Sequence, residues 1–155
     1  MDKVISLFFF IALVLLVLLS GGWATGLSPE GWIAKFSDIF WGDPTWLIPP
    51  SWLLVYGLVA VSGWLVWIST DSLDVIFPMI VYAVQLVLNA SWWWIYFVLE
   101  DPMLAITTLT LLSCLILFNI IVFWFYYKWA AVLLVPYFSW VVYATSLNWA
   151  LIIYG

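Results

Sequence analysis

MLAITTLTLLSCLILFNIIVFWFYY, residues 103–127, runs for twenty-five positions without a charged side chain. It begins just after Glu100-Asp101-Pro102 and stops against Lys128. As an α-helix rising about 1.5 Å per residue it outreaches a hydrocarbon core ~30 Å thick. A membrane β-strand would need only ~10 residues and would alternate in polarity, which this run does not. The same reading extends outward in both directions. Residues 129–154 follow at once, residues 75–99 and 50–69 precede, and residues 4–23 open the chain after Asp2 and Lys3; the charges fall at or between these runs. The fold predicted is an all-α membrane protein, a five-transmembrane-helix bundle, with residues 1–155 forming one transmembrane domain. Residues 25–45 connect the first two runs and hold Trp32, Phe36 and Phe40 at i, i+4 and i+8, the spacing of one face of a short helix. A short helical first loop is therefore expected, lying on the membrane surface or folded over it.

Composition points the same way and excludes much chemistry. The 155 residues are 68% hydrophobic and 7% charged, with mean hydropathy +1.23 and net charge −5. A soluble domain carries about 25% charged residues, so the chain is expected in a membrane as a multi-pass protein. Three Lys and no Arg cannot neutralise a phosphate backbone, and nucleic acid is excluded as a partner. The single Cys114 forms no intrachain disulfide. With no His there is no imidazole base, no His-ligated haem and no usual zinc site; no metal ligands and no catalytic residues are assigned. The carboxylates all lie at or beyond span ends, so no intramembrane acid is available to relay protons. Residues 4–23 also resemble a signal peptide, but Ser20-Gly-Gly-Trp-Ala24 is a poor cleavage site and Asp2 weakens the basic start; a retained helix is expected. With five spans Lys3 and Lys128 share the amino-terminal side and Lys35 lies opposite, so the positive-inside rule puts the amino terminus in and the first loop out.

Aromatic residues make up 21% of the chain, 14 of them Trp. Trp23, Trp46, Trp67, Trp129 and Trp149 fall near span ends and suit an interfacial belt. Others lie inside spans, where an indole N–H needs a partner. In the third span Tyr82, Gln85, Asn89, Trp92 and Tyr96 share one helix face. In the fifth, Tyr137, Trp140, Ala144 and Asn148 do so just after Pro136; in the second, Trp52, Tyr56, Gly63 and Trp67 form a stripe. Carboxamides facing lipid are costly, so these faces turn towards protein, either as interhelical hydrogen-bond contacts or around a cavity. Convergence of the three stripes would make an aromatic pocket with a few directed donors, suited to a flat apolar ligand.

These residues carry a resemblance. Gln85-Leu-Val-Leu-Asn89-Ala-Ser-Trp92 with Tyr96-Phe97, and Leu133-Leu-Val-Pro136-Tyr137-Phe-Ser-Trp140 with Ala144 and Leu147-Asn148, resemble the third- and fifth-helix signatures of the TspO/MBR family. This is the translocator protein family, whose bacterial members are called tryptophan-rich sensory proteins. Trp52-Leu-Leu-Val-Tyr56 and Pro44-Thr-Trp46 resemble its second-helix and preceding elements. Departures concentrate in the first loop: Pro49-Pro50 lies almost against Trp52, and Asp43 stands where the family usually has Lys. The resemblance implies a five-helix bundle whose cavity opens towards the first loop, in a bacterial-type cell envelope membrane. It implies that Trp52, Asn89 and Trp140 line that cavity, with Tyr56, Trp92, Ala144 and Leu147 as further lining. The implied ligand is a porphyrin or other tetrapyrrole-like, flat, hydrophobic aromatic small molecule, with no covalent cofactor. The basic residue that closes the sterol-recognition element of vertebrate members has no counterpart after the fifth helix, so cholesterol is not expected. Membrane lipid is a further partner. A homodimer stays among the expectations, although the small-residue repeat used for it in some relatives is reduced here to Ala83 and Ala90. Three roles follow: a sensor, scavenger or carrier that binds such ligands; light-dependent porphyrin degradation using cavity Trp residues; or a structural, partner-binding membrane protein.

Overall fold

Residues 2–28, 48–70 and 73–154 are described in a computed structural model, with the backbone alone at 48–51, 151 and 154. They form five α-helices, all long and apolar enough to cross a membrane, and no strand is found among the described residues. The helices are α1 (Lys3–Gly26), α2 (Ile48–Ser69), α3 (Ile76–Phe97), α4 (Pro102–Tyr126) and α5 (Lys128–Tyr154). The expected helix in the first loop falls outside the described residues, as do Trp32, Lys35, Phe36, Phe40, Asp43 and Trp46.

Local chemistry sets the helix ends. Asp2 caps α1 by accepting from Val4 N at 3.2 Å, and Asp101 caps α4 by accepting from Leu104 N at 2.9 Å, with Pro102 at the first helical position, where its missing N–H costs nothing. The third apolar run continues to Leu99, yet α3 stops at Phe97. Val98 N and Leu99 N both turn back to the Trp94 carbonyl, and Glu100 takes φ 51°, a left-handed conformation that ends the helix. One extended residue, Tyr127, separates α4 from α5, and this tight hairpin is the most extensively packed helix pair.

Interhelical contacts close a ring in the order α1–α2–α5–α4–α3 and back to α1, while α2 also touches α3 and α4 across the interior. At one end, Trp64 Nε1 donates to the Lys3 carbonyl at 3.0 Å and Ser62 Oγ to the Ala130 carbonyl at 2.7 Å, and the Tyr82 ring lies over Phe123. That end gathers the starts of α1, α3 and α5 with the ends of α2 and α4. Lys3 and Lys128 therefore share an end, as their sequence positions require. At the other end Trp94 Nε1 donates to Ser20 Oγ at 2.8 Å, and Trp52 meets Trp93 and Trp140. The two chain termini thus lie at opposite ends of the bundle. The second end, where residues 28 and 48 flank the first loop, is called the loop end below.

Every helix is apolar all round, so burial rather than polarity distinguishes its faces. On α1 the buried stripe is Ser6, Phe10, Val14, Val17, Gly21 and Ala24, while Phe8, Leu16, Leu19 and Trp23 project outward. Lipid tails are as apolar as these side chains, so close packing and interhelical hydrogen bonds hold such a bundle together. Gly21 and Gly63 make that closeness possible. A Cβ on Gly21 would sit 2.7 Å from the Trp93 ring, and one on Gly63 would sit 2.7 Å from Tyr82 Cζ and 2.9 Å from Phe10.

Candidate functional site: an aromatic and amide cluster near the loop end

The start of α2, the second half of α3 and the middle of α5 bring the stripes read from the sequence to one level. Trp52 and Tyr56 lie one turn apart on α2 and stack with ring centroids 5.3 Å apart. Trp52 also lies 5.2 Å from Trp93 of α3 and meets Trp140 of α5 edge-on at 5.7 Å. Beneath these rings Asn89, which is 1% exposed, ties three helices together. Tyr56 donates its hydroxyl hydrogen to Asn89 Oδ1 at 2.9 Å, and Asn89 Nδ2 donates to the Tyr137 hydroxyl oxygen at 2.5 Å. Trp93 Nε1 donates to the Tyr56 oxygen at 3.4 Å.

The expected residues take different places around this core. Trp52, Tyr56, Asn89 and Trp92 are buried; Trp140, Ala144 and Leu147 are half-buried. Trp92 stacks on Tyr96 at 5.6 Å and meets Trp93 at 5.1 Å, so it reaches Trp52 through Trp93. Ala144 accepts from Asn148 Nδ2 at 2.9 Å. Of the α2 stripe, Trp67 stays outside the cluster, at 37% exposure. Gln85 turns to α4, where its Oε1 accepts from Asn119 Nδ2 at 2.8 Å. The two carboxamides of α3 thus have separate employments: Gln85 joins two helices, and Asn89 organises the aromatic cluster. Both bridge helices, and the rings themselves fill the space around Asn89.

Two members were not among the candidate residues. Trp93 follows Asn89 at i+4 just as Trp92 follows it at i+3, and its N–H completes the network. Tyr137 belongs to the fifth-span stripe but was not among the candidate residues; its place opposite Asn89 shows only in three dimensions. Of the interfacial Trp, Trp23, Trp67, Trp129 and Trp149 are all exposed at the surface.

An open groove of about 390 Å³ on the outer face of the bundle adjoins the cluster between α2 and α5, lined by Leu54, Val55, Pro136, Ser139, Trp140 and Tyr143. Leu54 and Tyr143 are exposed on the bundle's outer face, so the opening lies along the membrane-spanning length. Trp140 belongs to both this wall and the Trp52 contact. Its Nε1 and that of Trp92 are buried without a hydrogen-bond partner among the described residues, as is Asn148 Oδ1. Apolar rings with a few unmatched polar atoms can hold a flat apolar ligand and orient it. No Asp, Glu or Lys side chain lies in the cluster among the described residues.

Residues 10–154 match the sequence model of the TspO/MBR family. Among curated proteins, the chain is similar to the tryptophan-rich protein TspO of Archaeoglobus fulgidus, 28% identical over 141 residues that cover 89% of each chain. The tryptophan-rich sensory protein of Cereibacter sphaeroides is 29% identical over 125 residues, 79% of this chain and 75% of that one. The translocator protein of Homo sapiens is 28% identical over 120 residues, 76% of this chain and 71% of its own.

Proposed function

The chain belongs to the TspO/MBR family of multi-pass membrane proteins, and on that premise we propose that it binds porphyrin or other flat, tetrapyrrole-like aromatic molecules at the cluster of Trp52, Tyr56, Asn89, Trp93 and Trp140. The observation that carries the reading is the position of Trp140, which meets Trp52 edge-on and also walls the open groove between α2 and α5. A flat ring entering it exchanges lipid contacts for aromatic ones, worth roughly 0.5–1.5 kcal/mol per ring pair beyond area. Trp92, Ala144 and Leu147 are the further lining residues of this reading, though none of them borders the groove itself. The protein acts as a sensor, scavenger or carrier, and prokaryotic relatives favour a cell envelope membrane as its place.

Titrating the purified protein with protoporphyrin, haem and a sterol, read by Trp fluorescence, tests this proposal. Saturable quenching by both tetrapyrroles is expected, with little by the sterol. Porphyrin consumed with turnover under light would instead favour the degradative role. The purely structural role draws on the Tyr56–Asn89–Tyr137 bridge, which already joins three helices. Absence of saturable quenching by any of the three compounds would favour it.

A further inference from the structure

Near the middle of α3, away from the aromatic cluster, Gln85 meets Asn119 of α4, and both side chains are fully buried. Asn119 Nδ2 donates to Gln85 Oε1 at 2.8 Å, a bond that uses one polar atom of each amide. The other two atoms, Gln85 Nε2 and Asn119 Oδ1, are buried without a hydrogen-bond partner among the described residues. Two carboxamides satisfy each other fully only when they close a ring of two opposed N–H···O bonds, and here one of the two is made. Turning the amides over does not remove the deficit. Turning Gln85 alone sets nitrogen against nitrogen, and turning Asn119 alone sets oxygen against oxygen. Turning both reverses the bond and leaves the Asn119 nitrogen and the Gln85 oxygen unmatched instead. Every arrangement that keeps the bond therefore leaves one amide nitrogen and one carbonyl oxygen unmet, on opposite helices.

The neighbouring side chains do not meet this demand. Tyr82 precedes Gln85 by three residues and Phe123 follows Asn119 by four, so both lie one turn nearer the end holding Lys3 and Lys128. Their rings stack with centroids 6.1 Å apart, and the Tyr82 hydroxyl is spent on the Val59 carbonyl at 3.1 Å. Towards the loop end the same face of α4 continues through Ile116 and Leu112, both buried and apolar. On α3 the next amide, Asn89, is already bonded to Tyr56 and Tyr137. Buried polar atoms that protein leaves unmatched call for an explanation, and an ordered water making about two to four hydrogen bonds is the usual one. A bound metal ion would ask for several oxygen ligands, where one unmatched carbonyl oxygen is on offer. We propose that Gln85 and Asn119 form a binding site for one internal water, which accepts from Gln85 Nε2, donates to Asn119 Oδ1 and so completes the bridge between α3 and α4. Water is the smallest molecule that meets a donor and an acceptor at once. With the Tyr82–Phe123 stack on one side and Ile116 and Leu112 on the other, this water is isolated, a part of the bridge and not a step in a path across the membrane.

A crystal structure of the unaltered protein, at a resolution that shows single waters, tests the assignment. The expected result is a density peak within about 3.2 Å of both unmatched amide atoms. Amides closed directly on each other by paired bonds, or density that reaches fewer than two of those atoms, would overturn it. A second measurement counts long-lived internal waters of the protein in detergent by magnetic relaxation dispersion of water. Combining Gln85→Leu with Asn119→Leu removes both polar ends together and should lower that count by one; an unchanged count would overturn the site. The crystallographic test needs no variant, so it stands even where the double variant fails to fold. Isolation is read separately, from the osmotic shrinkage of vesicles carrying the protein. They should shrink no faster than protein-free vesicles, and faster shrinkage would overturn the isolation of the site. None of these readings involves an aromatic ligand, so their failure and the failure of the proposed function are distinct.

Discussion

The two ends of the bundle use aromatic and hydroxyl side chains in opposite ways. At the end holding Lys3 and Lys128, Ser62, Tyr82 and Trp64 donate to the backbone carbonyls of Ala130, Val59 and Lys3. A helix carbonyl has a second lone pair, so each of these donors is matched without disturbing the helix. Near the loop end, Trp93, Tyr56, Asn89 and Tyr137 bond to one another, and the Trp92 and Trp140 N–H groups are buried without a partner among the described residues. The first arrangement locks helices together. The second also crosses the bundle and borders the open groove through Trp140.

The largest effect is expected where the locked end is overfilled. Gly63→Leu forces a side chain into space already taken by Tyr82 and Phe10. It should cost about 3 kcal/mol, read as a lower thermal midpoint in detergent, with porphyrin affinity of the folded fraction unchanged. Truncating the loop-end cluster should do the reverse. Trp140→Ala removes the edge contact with Trp52 and one wall of the groove. Porphyrin affinity should fall about tenfold, close to the upper value of an aromatic pair, while the midpoint shifts little.

Gln85 and Asn89 sharpen the contrast within one helix. Gln85→Leu should lower stability by about 0.6 kcal/mol, the average for an intramembrane hydrogen bond, and leave ligand affinity untouched. Asn89→Leu should cost a similar amount for each of its two bonds and also weaken porphyrin. If both variants affected only stability, Asn89 would belong with the locking contacts. The smallest effect is expected from the ligand's charge. Masking the porphyrin propionates as methyl esters removes two charges but keeps their carbonyls; Lys3 and Lys128 lie at the far end, and Lys35 in the first loop is the one remaining cation of the sequence. Affinity measured by the same quenching should change less than about twofold, below roughly 0.4 kcal/mol.

Much of the architecture could be read from hydropathy because lipid demands it. The charge-free run 103–127 became Pro102–Tyr126, one residue from the expected bounds at each end. The run 75–99 overshot α3 because apolar character marks what lies in the hydrocarbon, whereas Glu100's left-handed backbone and the paired bonds to Trp94 decide where helical turns end. Within the cluster, counting by 3 and 4 from Asn89 could not choose between Trp92 and Trp93; the approach of Gly21 and the Tyr56 hydroxyl selects Trp93 for the network. Trp67 left its stripe for a geometric reason. Fifteen residues from Trp52, at about 100° each, end roughly 60° off the starting face, which is enough to turn a side chain from protein towards lipid. The distinct uses of Gln85 and Asn89 were not legible either, since both amides lie on one face and only the identity of the neighbouring helix separates them.

Parallel porphyrin titrations of the unaltered protein, Trp140→Ala and Trp129→Ala, each read by saturable quenching of Trp fluorescence, test most directly whether the loop-end cluster is the binding site. Trp140 stands in the cluster; Trp129 is exposed at the opposite end. The expected result is an affinity about tenfold weaker for Trp140→Ala, or roughly 1.4 kcal/mol, and unchanged for Trp129→Ala. Equal affinities in all three proteins, or a loss confined to Trp129→Ala, would contradict the assignment.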